Sequence, residues 1–157
     1  GASRYTGTGM RLTVFTDYSL RVLIYLAIRP DRRSTIAEIA TAFDVSESHL
    51  MKVVHFLGKH GFLANVRGKG GGLMLARPPE AINIGAVVRL TEADSLAAEC
   101  FDRENNTCVI TPACQLRKVL REAIDAFHEV LGRHTLSDLI VQRRSLSRLL
   151  SIPIEVR

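Results

Sequence analysis

From Thr16 onward the apolar residues Leu20, Leu23, Ile24, Ala27 and Ile28 return at helical spacing until Pro30, which predicts a first helix with Thr16 as its N-cap. A polar Asp-Arg-Arg loop follows. Thr35 with Glu38 three positions later forms a capping box, and Ile36, Ile39, Ala40 and Phe43 supply the stripe of a short second helix. Asp44 and Val45 make a tight turn, Ser46 is the next N-cap, and Leu50, Val53, Val54 and Leu57 mark a third helix ending at Gly61. Two short helices joined by about three residues are the helix-turn-helix pattern, whose second helix fits a DNA major groove.

Phe62 to Val66 and Leu73 to Ala76 then read as short strands around Arg67-Gly-Lys-Gly-Gly-Gly72, a hairpin in the place of a wing. Ile84 to Leu90 suggests another short helix, and the stretch after it has no apolar rhythm. From Pro112 the rhythm returns: Leu116, Leu120, Ala123, Phe127 and Leu131 form one seam, Val119, Ala123, Ala126 and Val130 a second, as far as Gly132. A helix with two adjacent seams has more apolar surface than one neighbour covers, and a symmetric dimer through it is the economical solution. Thr135 to Leu139 begins one more short helix, and the basic tail from Gln142 shows no clear order.

The fold class expected is therefore mainly α with a small β wing: a winged helix-turn-helix DNA-binding domain plus a long dimerisation helix. Residues 1–9 read as a leader or cloning scar, 10–90 as the winged-helix domain, 91–114 as a loop carrying the cysteines, 115–141 as the dimerisation helix with its short follower, and 142–157 as the tail.

Composition narrows the functional classes. At 157 residues and 46% apolar, the chain can build a core without staples. No apolar run approaches the roughly 18 residues of a membrane span, so no membrane partner is expected and a cytoplasmic location is. Of the +5 formal charge, most falls between Ser46 and Arg77, where five Lys/Arg face one acid. That placement suits a polyanion. Gly68-Lys69 is followed by Gly70 and not Ser or Thr, so the wing loop is not a P-loop, and Leu73 stands where a dinucleotide fingerprint needs its last glycine. No nucleophile–base pair or carboxylate dyad points to an enzyme. The candidate DNA contacts are Arg11, then Ser46, Ser48, His49 and Lys52 on the outer side of the third helix, and Arg67, Gly68 and Lys69 at the wing.

The three cysteines, Cys100, Cys108 and Cys114, lie within 15 residues at a spacing of C-x7-C-x5-C. This is not the paired C-x2-C of a zinc ribbon. Soft thiolates at wide spacing suit an iron–sulfur cluster, while a zinc ion and thiol–disulfide or inert thiols remain open on spacing alone. With Thr111 as N-cap and Pro112 at the first helical position, Cys114 is expected in the first turn of the long helix, where the dipole favours thiolate.

MRLTVFTDYSLRVLIYLA at 10–27, VRGKGGGLMLARP at 66–78 and the cysteine segment through ITPACQLRKVL resemble the winged-helix iron–sulfur transcription repressors, and within them the nitric-oxide-sensing branch. The resemblance covers Met10 to Ile140. It implies a homodimer on a palindromic double-stranded operator, with a 4Fe-4S cluster (alternatively 2Fe-2S) held by Cys100, Cys108, Cys114 and Asp17 of the partner subunit. It also implies that nitric oxide is the signal, and that cluster nitrosylation or loss releases the operator and derepresses nitric-oxide detoxification genes. Read from its own surroundings, Asp17 is simply an acid complementing a helix dipole. The same fold sensing iron or redox state, and a zinc-stabilised winged helix, are the alternatives.

Overall fold

Helix α1 (Val14–Ile28) is the element on which the rest is assembled. Its sequence is apolar on more than one side, and Val22, Leu23, Leu26, Ala27 and Ile28 are all buried in it. At about 1.5–3 kcal/mol for each large side chain buried, α1 alone supplies a substantial share of the core. The computed structural model describes residues 11–93 and 101–152. The leader, Cys100 and residues 153–157 lie outside the described residues.

Helix α1 starts one turn earlier than its spacing suggests. Thr13, not Thr16, is the N-cap, its hydroxyl accepting the Thr16 amide at 3.2 Å. The cap is secured from afar: Glu92 accepts both the backbone amide of Thr13 at 2.7 Å and its hydroxyl at 2.9 Å. Thr16 is fully buried and donates to Thr91 Oγ1 at 2.7 Å.

Helix α2 (Ile36–Phe43) opens on the expected capping box, with Glu38 Oε2 accepting the Thr35 amide and Thr35 Oγ1 accepting the Glu38 amide. It ends at Asp44, whose φ of 52° lets the chain reverse into α3 (Glu47–Lys59). Ser46 sits at the N-cap of α3, but its hydroxyl bonds the Ser48 hydroxyl at 2.7 Å and leaves the helix amides uncapped. Leu50, Val53, Val54 and Leu57 are buried as the spacing predicts.

Strands β1 (Leu63–Val66) and β2 (Gly72–Leu75) pair antiparallel, Leu63 opposite Leu75 and Val66 opposite Gly72. The hairpin is joined to the loop before α2 by a bridge, Leu73 N–H to Ser34 O at 2.7 Å and Ser34 N–H to Leu73 O at 3.0 Å. Gly72 makes this approach possible: its φ is 145°, and a Cβ there would lie 2.9 Å from the Ser34 carbonyl oxygen.

After a short 3₁₀ turn (Pro79–Ala81), α4 (Ile84–Thr91) packs on α1 and on α5 (Gln115–Gly132). Gly85 of α4 and Gly132 of α5 touch backbone to backbone, since a Cβ on Gly85 would sit 2.7 Å from Gly132 Cα. Asn83 Nδ2 bonds the Gly132 carbonyl at 2.8 Å, and Ile84 N–H bonds the His134 carbonyl. The far end of α5 is thereby clamped to the body. Helix α6 (Leu136–Leu139) buries Leu136 completely under a capping box of Thr135 and Asp138.

The described part of the basic tail, as far as Ile152, is ordered by a further helix. Helix α7 (Arg143–Leu149) returns against α1, with Arg143 donating twice to the Ile28 carbonyl, at 2.7 and 3.1 Å, and Ile152 entering the core. No helix among the described residues is long and apolar enough to cross a membrane.

Candidate nucleic-acid interface and thiol site

The inward turn of α3 decides which side chains it leaves outside. Ser46, Ser48, His49 and Lys52 are all exposed, on a face that also carries Met51 and His55. His55 is absent from the contacts expected from sequence, although its position three residues after Lys52 puts it on the same side. The face has short hydroxyl donors at its N-terminal end and imidazoles and a cation farther along, which is chemistry for base edges and phosphates. Aromatic packing holds α3 on α1: Phe56 meets Phe15 edge-on at 5.1 Å, and His49 lies 6.2 Å from Tyr18.

Arg67, Gly68 and Lys69 are exposed at the turn of the hairpin. Gly68 and Gly70 have φ of 92° and 74°, and Gly71 N–H closes the turn on the Gly68 carbonyl at 2.9 Å. Arg11 is exposed just before α1. The structure therefore sets two groups of candidate contacts on separate elements, the outer side of α3 and the wing.

Of the three thiols, Cys108 is exposed and Cys114 half-buried, both free, and Cys100 lies outside the described residues. Cys114 is not inside the first turn of α5. It is the N-cap itself, extended at ψ 111°, and Thr111–Ala113 form a separate 3₁₀ turn before it. The hydroxyl expected to cap the long helix is engaged elsewhere: Thr111 Oγ1 donates to the Cys108 carbonyl at 2.8 Å and accepts from Asn106 Nδ2 at 3.0 Å. Asn106 Oδ1 in turn accepts the Cys108 amide at 3.0 Å.

The long interval before Cys108 is not featureless. Asp102 accepts from the Asn105 side chain at 2.7 Å and from the amides of Glu104 and Asn105, and these bonds hold its carboxyl below the usual carboxylate range. Side-chain hydrogen bonds of Asp102 and Asn106 thus shape two turns in the described part of this interval.

Beside Cys114 lies a concavity of about 350 Å³ lined by Phe101, Pro112, Arg117, Lys118 and Arg121. Arg117 Nε is buried with no hydrogen-bond partner, and the guanidinium of Arg121 lies over the Phe101 ring at 4.5 Å. With Arg117, Lys118 and Arg121 all lining it, the cavity is chemically suited to an anionic group. Among the described residues Cys114 is the thiol that lines this cavity, together with the start of α5 and its cations, a donor set that suits a soft, anionic group such as a cluster with thiolate ligands.

Asp17 lies in the first turn of α1 and pairs with Arg21 of its own helix, Oδ2 to Nη2 at 2.9 Å and Oδ1 to Nε at 3.1 Å. Among the described residues no three His, Cys, Asp or Glu side chains gather in a single chain. Asp17, Cys108 and Cys114 are therefore not one site within one copy.

A helix-turn-helix with a basic wing, followed by a long exposed helix, is the architecture of winged-helix transcription regulators, and the kinship agrees. The Rrf2 family, described as an iron-dependent transcriptional regulator, matches residues 12–142, and the chain belongs to it. It is 49% identical over 144 residues to the HTH-type transcriptional regulator NsrR of Bacillus subtilis, covering 91% of this chain and 99% of that one. The NsrR of Halalkalibacterium halodurans is 46% identical over 144 residues, with the same coverage. Staphylococcus aureus CymR in its oxidized form superposes with a TM-score of 0.65 at 27% identity, over 84% of this chain and 97% of that one. T. potens IscR has a TM-score of 0.68 at 24% identity, over 84% and 87%, and shares the fold. The chain is a DNA-binding transcription repressor of the Rrf2 family and not an enzyme.

Proposed function

We propose that two copies of this chain form a cytoplasmic repressor dimer on a palindromic operator. In this reading Cys100, Cys108 and Cys114, with Asp17 of the partner subunit, hold a 4Fe-4S cluster, and nitric oxide is the signal that releases DNA. The observation that carries it is the position of Cys114. It caps the N-terminus of α5, whose outer residues Leu116, Val119 and Val130 are exposed and unsatisfied within one chain, so the thiol loop and the dimer face are parts of one element. The resemblance of the α1 and ITPACQLRK segments to the nitric-oxide-sensing branch supports the signal.

When bound, the cluster supplies an iron that a carboxylate holds less firmly than a thiolate does, and hence a position open to nitric oxide. The chain's own residues supply the rest. Asp17 is about half exposed, and its exposed pair with Arg21 is worth only about 0.3–0.5 kcal/mol, so giving it up for a ligand role costs little. Cys114 ties the site to α5. Asp17 ties it to α1, and α1 packs on the recognition helix through the Phe15–Phe56 and Tyr18–His49 contacts. A site shared between α1 of one subunit and the loop of the other can therefore bias the spacing of two recognition helices, which a palindrome requires at about 34 Å.

Anaerobic purification followed by iron, sulfide and zinc analysis is the first test, and stoichiometric zinc without sulfide would end the cluster reading. Nitric oxide is then expected to abolish DNA binding by loaded protein at concentrations where iron chelation does not. Equal sensitivity to both favours the second reading, iron sensing, which the family's description as iron-dependent supports. Asp17→Ala is expected to keep the fold and lose cluster retention; an unchanged spectrum and titration would return Asp17 to a plain helix acid.

A further inference from the structure

Arg33, in the loop between α1 and α2, donates from Nη1 to the Gly70 carbonyl at the turn of the wing, 3.1 Å away and 37 residues along the chain. Its position is fixed from the backbone outward. The next residue, Ser34, is bonded to Leu73 in both directions, and a Cβ on Gly72 would lie 3.1 Å from Arg33 Cβ. The guanidinium is thus carried by a three-segment unit of loop, β1 and β2.

The neighbouring Arg32 differs. Arg32 pairs with Glu38 at 3.1 Å, whereas among the described residues no carboxylate lies within ion-pair distance of Arg33. Arg33 is exposed, and one bond to a neutral carbonyl engages one of its five N–H donors. Its remaining donors form a planar fork suited to phosphate, at the hairpin turn that also carries Arg67 and Lys69.

We propose that Arg33 binds DNA phosphate alongside the wing, held in place by the Gly70 carbonyl and presenting its free donors to the backbone beside the groove that the hairpin enters. This rests on the wing facing DNA. Arg33 adds a third cation to Arg67 and Lys69, supplied from outside the hairpin.

The full chain, Arg33→Gln, Arg33→Lys and Lys69→Gln are compared by fluorescence anisotropy on a labelled mixed-sequence duplex of about 30 base pairs, long enough for two half-sites. Salt is varied from about 50 to 200 mM. Arg33→Gln is expected to bind roughly tenfold more weakly at the lowest salt, with a log–log salt slope smaller by about 0.9 for each phosphate that is no longer neutralised. Its deficit then narrows about 3.5-fold per phosphate across that range. Arg33→Lys keeps the charge and is expected to keep the slope, and equal thermal melts show that the fold is intact. If Arg33→Gln retains the wild-type slope while Lys69→Gln does not, Arg33 is only a strut and the proposal falls. If neither slope changes, the wing itself does not meet phosphate, and the proposal falls with that reading.

Discussion

Helices α1 and α5 are both long and carry apolar residues at helical spacing, yet they end in opposite conditions. Helix α1 has eight buried residues among 15 and is enclosed by α3, α4, α6, α7 and the hairpin. Helix α5 has none buried among 18; Phe127 and Leu131 pack partly on the core, Leu120 and Ile124 are half-buried, and Leu116, Val119 and Val130 are exposed. Both carry apolar residues at helical spacing, α1 on more than one side and α5 along one, so spacing reports that a face needs a partner without saying whether the partner is in the same chain. The tertiary connections decide that. Helix α5 is clamped near its C-terminus and its apolar outer side is left open.

The comparison is broken most forcefully by one substitution on each helix. Leu23→Ala removes a fully buried side chain and is expected to lower unfolding free energy by about 2–5 kcal/mol in urea titration. Val119→Glu, on the outer side of α5, is expected to leave helical content intact and shift the sedimenting species from the proposed dimer to monomer. The dimer constant should weaken by more than about 100-fold, because an unpaired charge would be buried there. A Val119→Glu protein that still sediments as a dimer would move the interface off this helix.

What is legible in the sequence follows the range of the interactions. The capping box of α2, the inner stripe of α3 and the turn of the wing are made by residues within a few positions of one another, and their spacing reveals them. Spacing places the start of α1 too late because the residue that secures Thr13, Glu92, lies 79 positions away. It begins α5 too early because the Thr111 hydroxyl serves the Cys108 carbonyl. Helix α7 is stabilised in part by Arg143 on Ile28, 115 positions apart, and has little signal of its own. For the same reason Arg33 is invisible as a wing residue: its partner, Gly70, belongs to a hairpin that looks complete when read locally.

A smaller effect sharpens the account of how α5 is attached. Gly85→Ala places a methyl 2.7 Å from backbone atoms of Gly132, so α4 and α5 must part; a loss of about 1–3 kcal/mol is expected. At Gly132 a Cβ meets nothing within 4 Å, and Gly132→Ala is expected to be neutral or to stabilise by up to about 1 kcal/mol. The two glycines touch, but the constraint is one-sided. Equal melts for both variants would show that the helices can slide apart freely.

The smallest effect is a pH dependence at the same α4–α5 contact. His128 of α5 has Nδ1 buried without a partner; burial and then the charge of Arg89 on α4 push its pKa below the usual value, against weaker opposite pulls from Asp125 and Glu92. Because the folded chain resists protonating this ring, the unfolded chain binds the extra proton as pH falls below about 6.5. The stability associated with neutral His128 is therefore fully present above that pH and declines as acid is added, down to the lowered folded value. His128→Gln cannot titrate. Between about pH 7.5 and 5.5 the wild-type melting temperature is expected to fall further than that of the variant, by no more than roughly 2 °C. The difference between the two proteins isolates this ring from the other titrating groups, and identical pH profiles would mean that the α4–α5 contact yields enough to admit the proton.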